Sequence, residues 1–428
     1  MPWRAVEGGD VARGTVKLLH LTNHFPPYSS GIAEKQCALL VRELAARNHV
    51  NRVLTSDVTV PHVVDHEPHV DRRLRLLTGS ATRSFIRLFL LQQFNRRALL
   101  QELDQLMPDV VVIWSMSGLS FSLLWELHRR QVRMAFAVLD GWPRQGVRDD
   151  PWYRWWAAPL PVDQRIIRRA LRECRLDRPI LNAHPAQRPG DLPLQHGFFA
   201  SRALQDSVRL AGFAVDGTMI LPYCLSRDEI PAAPPRRDDP RRLLWIGHLD
   251  ADRDPLTAVQ ALQELRHQGE MRFSLDIFGR GDVAMEARLR DYLRNAQLGG
   301  AVTIRHASVD ELAMLYPSYD VFLHTARHPD PFPVGIVRAM AARVPVITTS
   351  EGSATDVARN GHNALTFRTG DPFDCAEKIL QLAADRPLVD TLTERAYREV
   401  MDTYSASSVG GRLDRLLHGM VHRPEREG

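Results

Sequence analysis

The sequence predicts an α/β protein of two doubly wound, parallel-sheet domains, on three observations. Short β-branched runs alternate with amphipathic helical runs along most of the chain. Several of those β-branched runs are apolar throughout, as strands covered on both faces must be. A proline-rich, charged stretch, 230-IPAAPPRRDDPRR-242, breaks the rhythm, which then restarts.

The elements follow in order. VKLLHLTNHF (16–25) reads as a strand, and AEKQCALLVRELAARNH (33–49) as a helix with Ala38, Leu39, Val41, Leu44 and Ala45 on its apolar face. NRVLTS is the next strand. The helical run 83–100 carries arginines and a broad apolar surface. It fits a core helix of the first domain, or a helix lying on a membrane surface. Pro108-Asp109 introduces the apolar strand VVVIW, and MAFAVLD (134–140) is another. The stretch 138-VLDGWPRQGVRDDPWYRWW-156 reads as a loop crowded with Trp142, Trp152, Tyr153, Trp155 and Trp156. Its rings are either platforms for a sugar or packed on one another. After the break come LLWIGHL, a helix from Asp254, FSLDIFG, a helix from Ala284, AVTIRH, a short helix from Asp310, VFLHT, a helix at 335–343 and PVITTS. These divide the chain into a first Rossmann-like domain at 15–231, a linker at 232–241, a second Rossmann-like domain at 242–400 and a terminal segment at 401–428. Two such sheets leave a cleft between their strand C-termini, where ligands of parallel sheets bind.

Composition narrows the class. With 428 residues, 44% hydrophobic and 25% charged, the chain suits an enzyme of about two domains. The net charge is only +4, and of the 55 basic side chains only Lys17, Lys35 and Lys378 are lysines. That skew argues for arginine-biased coding and not for a nucleic-acid partner. The four cysteines (Cys37, Cys174, Cys224, Cys375) form no CxxC pair and read as free thiols of a reducing compartment. The first residues lack the apolar core of a signal peptide, and no run reaches the ~20 apolar residues of a membrane span. The expected location is cytoplasmic, with contact at the inner face of a membrane as one expectation. His20 and His24 fall on a strand and its exit loop, so their spacing does not make a metal site.

Four segments carry a family likeness. D330-P-F-P-V-G-I-V-R338-A-M-A-A-R-V-P-V-I347 resembles E-G-F-P-x-x-x-x-E-A-M-A-x-G-x-P-V-I of the retaining GT-B glycosyltransferases of family 4. 352-GSATDVARNGHNALTF-367 resembles that family's G-G-x-x-E-x-x-x-x-G-x-N-G-x-L-x. 244-LWIGHLDADRDP-255 resembles G-R-L-x-x-x-K-G, and 24-HFPPYSSGIAEKQCALLVREL-44 resembles F-P-P-x-x-G-G. The resemblance implies two Rossmann-like domains across a cleft, with a terminal helix (405–420) crossing back to the first. It implies metal-independent sugar transfer from a nucleotide-diphosphate donor, a co-substrate with no separate cofactor, to a hydroxyl acceptor. The leaving phosphate would itself deprotonate that hydroxyl.

The resemblance also distributes roles. Asp330 matches the first family acid, which binds a donor-sugar hydroxyl, and Asp140 is the other catalytic candidate, following Leu139 where the family often has histidine. Gly247, His248, Arg253, Phe332, Val334, Gly335 and Arg338 are the donor-site candidates. His248 and Arg253 stand where the family has arginine and lysine. A diphosphate leaving group needs such cations together with backbone N–H groups at a helix start. His24, Ser30, Gly31 and Trp142 are the acceptor-site candidates. The departure is Arg338, where the family glutamate accepts ribose hydroxyls; an arginine has five donors and no acceptor. It suits a second anion, a salt bridge to Asp330 or another nearby acid, or solvent. Two alternatives follow: a degenerate binding or scaffold subunit, or an enzyme with a phosphorylated, non-nucleotide sugar donor.

Overall fold

The computed structural model describes residues 14–28, 31–59, 67–77, 84–231, 241–307, 309–328 and 330–422. The chain forms two compact units, one of residues 1–200, 204–221 and 410–428, the other of 201–203 and 222–409. The expected linker at 232–241 falls, except for its last residue, outside the described residues.

In the first unit, seven parallel strands lie in the order β3-β2-β1-β4-β5-β6-β7. They are β1 (Lys17–Leu21), β2 (Val50–Ser56), β3 (Val70–Leu74), β4 (Val110–Ile113), β5 (Met134–Val138), β6 (Gly197–Phe199) and β7 (Met219–Ile220). The helices between them are α1 (Ile32–Ala45), α2 (Phe85–Leu106), α3 (Ser122–Arg129), α4 (Trp142–Asp149), α5 (Pro151–Ala157), α6 (Val162–Glu173), α7 (Asp177–Ala183) and α8 (Arg202–Leu210). The central strands β4 and β5 are buried along their whole length, which is why they read as unbroken apolar runs.

In the second unit, six parallel strands take the order β10-β9-β8-β11-β12-β13. They are β8 (Arg242–Ile246), β9 (Ser274–Phe278), β10 (Val302–Arg305), β11 (Val321–His324), β12 (Val346–Thr349) and β13 (Leu365–Phe367). Six helices accompany them: α9 (Pro255–His267), α10 (Val283–Asn295), α11 (Val309–Leu315), α12 (Val334–Ala341), α13 (Pro372–Ala384) and α14 (Arg386–Glu399). The core joins Trp245, Leu262, Phe273, Ile277, Leu289 and Leu323. The last helix, α15 (Ala406–His422), belongs from Gly410 onward to the first unit.

One expectation changes. The tryptophan-rich stretch is not a loop but α4 and α5, for a physical reason. The Asp150 carboxylate caps α5, accepting from the N–H groups of Trp152 (2.8 Å) and Tyr153 (3.2 Å) and also from Phe121 (3.0 Å) and the Ser120 hydroxyl. Trp152, Trp155 and Trp156 pack into a small aromatic cluster with Phe85 and Leu88. Helix α2 accordingly buries Phe85, Leu88, Gln92, Asn95, Ala98 and Leu99, the core-helix alternative, while Ile86 and Leu90 stay exposed.

Candidate active site

Parallel sheets bind ligands beyond the strand C-termini where the strand order reverses. In the second unit that point lies between β8 and β11. The loop after β8 holds Gly247, His248 and Arg253; the loop after β11 leads through Asp330 to α12. Asp250 organises the first loop, accepting from the Arg253 N–H (2.8 Å) and lying 3.0 Å from His248 Nδ1. Asp254 caps α9 in the left-handed backbone region (φ 46°) and accepts from Thr257 and from Arg327 Nε (2.5 Å). Thr325 donates to the Asp254 carbonyl (2.6 Å) and accepts from the Trp245 indole (2.9 Å). A strained residue held from several sides fixes the direction in which its neighbour Arg253 leaves the loop. The loop after β9 presses close: a Cβ on Gly279 would stand 2.1 Å from the Gly247 carbonyl oxygen.

Arg253 pairs with Asp330, and Asp330 in turn lies 3.4 Å from His324 Nε2. His324 Nδ1 is 3.0 Å from the Thr348 hydroxyl. Three residues from two loops and a strand end thus meet at the start of α12. All three side chains are at most a quarter exposed (Arg253 24%, Asp330 16%, His324 11%). In such half-dry surroundings charge pairs act more strongly than in water. Val334 and Gly335 open α12, whose Pro333 cap contributes no N–H. Phe332 is buried, stacked on Tyr223 at 5.2 Å between ring centres. Its side chain is therefore part of the core of this unit and not a donor-contacting face.

Arg338 is also buried, and its guanidinium pairs with Glu229. Glu229 closes a capping box with Ser226, its Oε2 accepting from the Ser226 N–H at 3.2 Å. Of the roles open to Arg338, the salt bridge to another acid is the one realised. Neither Glu229 nor His324 stood out in the sequence. Glu229 sits next to the proline-rich stretch and is 109 residues from its partner; no local pattern marks such a pair.

In the first unit the strand order reverses between β1 and β4. His24 follows β1 in a turn tied by Asn23 Oδ1 to its N–H (2.8 Å). Gly31 precedes α1, and Ser30 lies outside the described residues. Asp140, two residues past β5, accepts the Trp142 N–H at 2.9 Å. Burial raises its carboxyl to about 6 against that hydrogen bond, and nearby Glu34 adds to the rise. A carboxyl near that value exchanges protons readily around neutrality. Trp142 is 1% exposed. It is a core residue, which removes it as a sugar platform: the ring packs on Phe121 (5.6 Å) beneath α4.

For a metal, one cluster among the described residues has three suitable side chains, His49, Asp414 and His418. His49 Nδ1 accepts the Val16 N–H (3.2 Å), so Nε2 carries the ring proton and donates to Asp414 (2.9 Å). Ligation through Nε2 would leave that ring without a proton on either nitrogen, unlike metal-bound histidines, which donate from the second nitrogen. His20 is likewise committed, bonded to Asn51 (2.8 Å) and Trp114 (3.1 Å), and burial lowers its pKa to about 4.

Residues 226–399 match the family model "Glycosyl transferases group 1". The capsular polysaccharide biosynthesis glycosyltransferase CapM of Staphylococcus aureus is 25% identical over 181 residues, 42% of this chain and 47% of CapM. The chain thus spans less than half the length of the curated relatives it first matches. Among solved structures, HepE of Anabaena in complex with UDP and glucose superposes with a TM-score of 0.64 at 14% identity, covering 94% of this chain and 99% of HepE. Sucrose-phosphate synthase of Thermosynechococcus elongatus gives 0.64 at 17% identity, covering 94% and 98%. The second unit therefore carries a glycosyl transferases group 1 domain, and the chain has the GT-B fold of two parallel-sheet, Rossmann-like domains.

Proposed function

We propose that the protein is a retaining, metal-independent glycosyltransferase that moves a sugar from a nucleotide-diphosphate donor to a hydroxyl acceptor. The observation that carries this is the meeting of Arg253, Asp330 and His324 at the start of α12, inside the segment that matches the family model. Arg253 offers the positive charge that a departing diphosphate needs, and Gly335 offers an N–H at the start of α12, where the Val334 and Ile336 N–H groups are already bonded to the Phe332 and Pro333 carbonyls. His248, exposed beside Arg253, is the second group within that loop. Asp330 holds a donor-sugar hydroxyl. The bond from the anomeric carbon to phosphate breaks as the bond to the acceptor oxygen forms on the same face, and the hydroxyl proton passes to the leaving phosphate. The second unit takes the donor; the first takes the acceptor, through His24, Ser30 and Gly31 and through Asp140. That HepE was solved with UDP and glucose supports a nucleotide-sugar donor. The protein works in the cytoplasm in this reading.

The experiment is calorimetry with UDP and GDP, followed by turnover of a panel of sugar nucleotides in EDTA. Arg253→Ala is expected to weaken nucleotide binding by about 1.5–3 kcal/mol, the size of a charge-assisted hydrogen bond. Unchanged affinity removes Arg253 from the site, and activity lost in EDTA but restored by Mg²⁺ or Mn²⁺ overturns metal independence. A second reading is favoured by one observation: Arg338 is buried against Glu229, so the helix presents no acid there. On that reading the protein is a binding or scaffold subunit, or uses a phosphorylated non-nucleotide donor. Absence of any nucleotide binding, with binding of a sugar phosphate or of neither, selects between those two.

A further inference from the structure

His324 ends β11, and the sheet itself places its side chain. In the parallel register of β11 against β12, His324 stands opposite Thr348, so the two side chains share one face of the sheet. His324 Nδ1 lies 3.0 Å from the hydroxyl of Thr348, which is buried. The chain then runs out six residues and returns over the end of its own strand, bringing Asp330 Oδ2 to 3.4 Å from His324 Nε2. Thr325, next after His324, is tied to the Trp245 indole and to the Asp254 carbonyl. The imidazole therefore stands on a rigid strand end, whereas Arg253 and Asp330 stand on loops.

Chemistry fixes where the imidazole carries its hydrogen. The group facing Nε2 is a carboxylate paired with Arg253, and a carboxylate only accepts. Nε2 thus bears the hydrogen and donates to Asp330. A hydroxyl both donates and accepts, so Thr348 serves Nδ1 whether the ring is neutral or charged. A carboxylate has about four acceptor positions. Arg253 takes one on Oδ1 and His324 one on Oδ2, which leaves an open edge on both oxygens. Arg253 has a second claim on it, because a departing diphosphate needs the same cation. His324 has no such rival and keeps its hold on Asp330 when the arginine turns away.

We infer that His324 is a positioning residue for sugar transfer. Its Nε2–H aims the open edge of Asp330 at one hydroxyl of the donor sugar and holds it there while Arg253 meets the diphosphate. The inference rests on the glycosyl-transfer reading and adds a division of labour to it. His324 sets how the sugar is held and contributes nothing to affinity for the nucleoside diphosphate.

The test uses the full chain, UDP and GDP for binding, and sugar nucleotides for turnover, including donors that lack single hydroxyls of the sugar ring. His324→Ala should lower kcat/KM about 10- to 100-fold, as expected for losing one hydrogen bond to a charged group. Its affinity for the nucleoside diphosphate should stay that of the wild type. His324→Gln, whose side-chain amide donates in place of Nε2–H, should recover most of the loss. Thr348→Val keeps the shape of a buried residue and should lower kcat/KM by a smaller factor. With the one deoxy donor that lacks the hydroxyl held by Asp330, wild type and His324→Ala should turn over alike, because the coupled partner is gone. Equal turnover of the intact donor by wild type and His324→Ala overturns the inference. A parallel loss of diphosphate affinity does so too, as does a Gln variant no better than Ala, or a deficit equal for every deoxy donor. Should the wild type bind neither diphosphate, the glycosyl-transfer reading falls and this inference falls with it. Should it bind and turn over a donor with His324 dispensable, the inference alone falls.

Discussion

At the scale of single residues, the two acids named as catalytic candidates sit in opposite electrostatic settings. Asp330 has a cation in contact, Arg253. Asp140 has burial, one backbone hydrogen bond and the like charge of Glu34, and its carboxyl rises to about 6. A raised folded value means that the carboxyl contributes stability fully below its unfolded value of about 3.9 and loses it as pH climbs through 6. A rise of about two units corresponds to roughly 3 kcal/mol. Asp140→Asn keeps an oxygen for the Trp142 N–H and carries no charge. Its stability relative to wild type should therefore grow by roughly 3 kcal/mol between pH 3.5 and pH 7, as followed by urea unfolding. A gap that stays flat with pH would show that Asp140 is solvated. Turnover by the same variant should fall if Asp140 acts on the acceptor.

At the scale of elements, the stretch 140–157 shows how one buried carboxylate converts an apparent loop into two helices. Proline at 143 and 151 sits in the first turn of α4 and α5, where a missing N–H costs nothing. Asp150 then ties the start of α5 to the loop before α3 through Ser120 and Phe121. Asp150→Ala would leave the N–H groups of Phe121, Trp152 and Tyr153 without this partner. Loss of a cap together with buried unpaired donors is expected to cost about 2–4 kcal/mol, read as a lower denaturant midpoint at constant slope. A change under about 0.5 kcal/mol would mean that water replaces the carboxylate. The cap signal, Asp before Pro at 150–151, was visible in the sequence; density of tryptophan drew the reading toward a loop instead. Burial of those rings against α2 is a matter of which helix lands beside them, and periodicity does not carry that information.

At the scale of the whole molecule, α15 is drawn to the first sheet by contacts that span almost the full chain. His49 donates to Asp414, 365 residues away, and His418 Nε2 reaches the Gly14 carbonyl oxygen at 2.9 Å. Burial pushes the Asp414 carboxyl up, but the hydrogen bond from His49 and the fields of His418 and His49 outweigh it and hold the group below its ordinary value. A depressed folded value contributes stability above the unfolded pKa of about 3.9 and loses it as pH falls through the folded one, the reverse of Asp140. Asp414→Asn should thus lower the melting temperature at pH 7, and the deficit should close as the pH falls below about 4. Hydrogen exchange should quicken along α15 in the same variant. A deficit that persists at low pH would assign the effect to packing. The sequence alone determined the alternation of strands and helices, the two parallel α/β units and the order of motifs around the second switch point. These rest on period, turn residues and short spacings, which are local. Only the tertiary structure decided that Arg338 meets Glu229, that Trp142 is core, and that His324 joins Arg253 and Asp330. Each of those depends on strand order, which brings distant loops to one sheet edge, and on burial, which a residue's neighbours in sequence do not set.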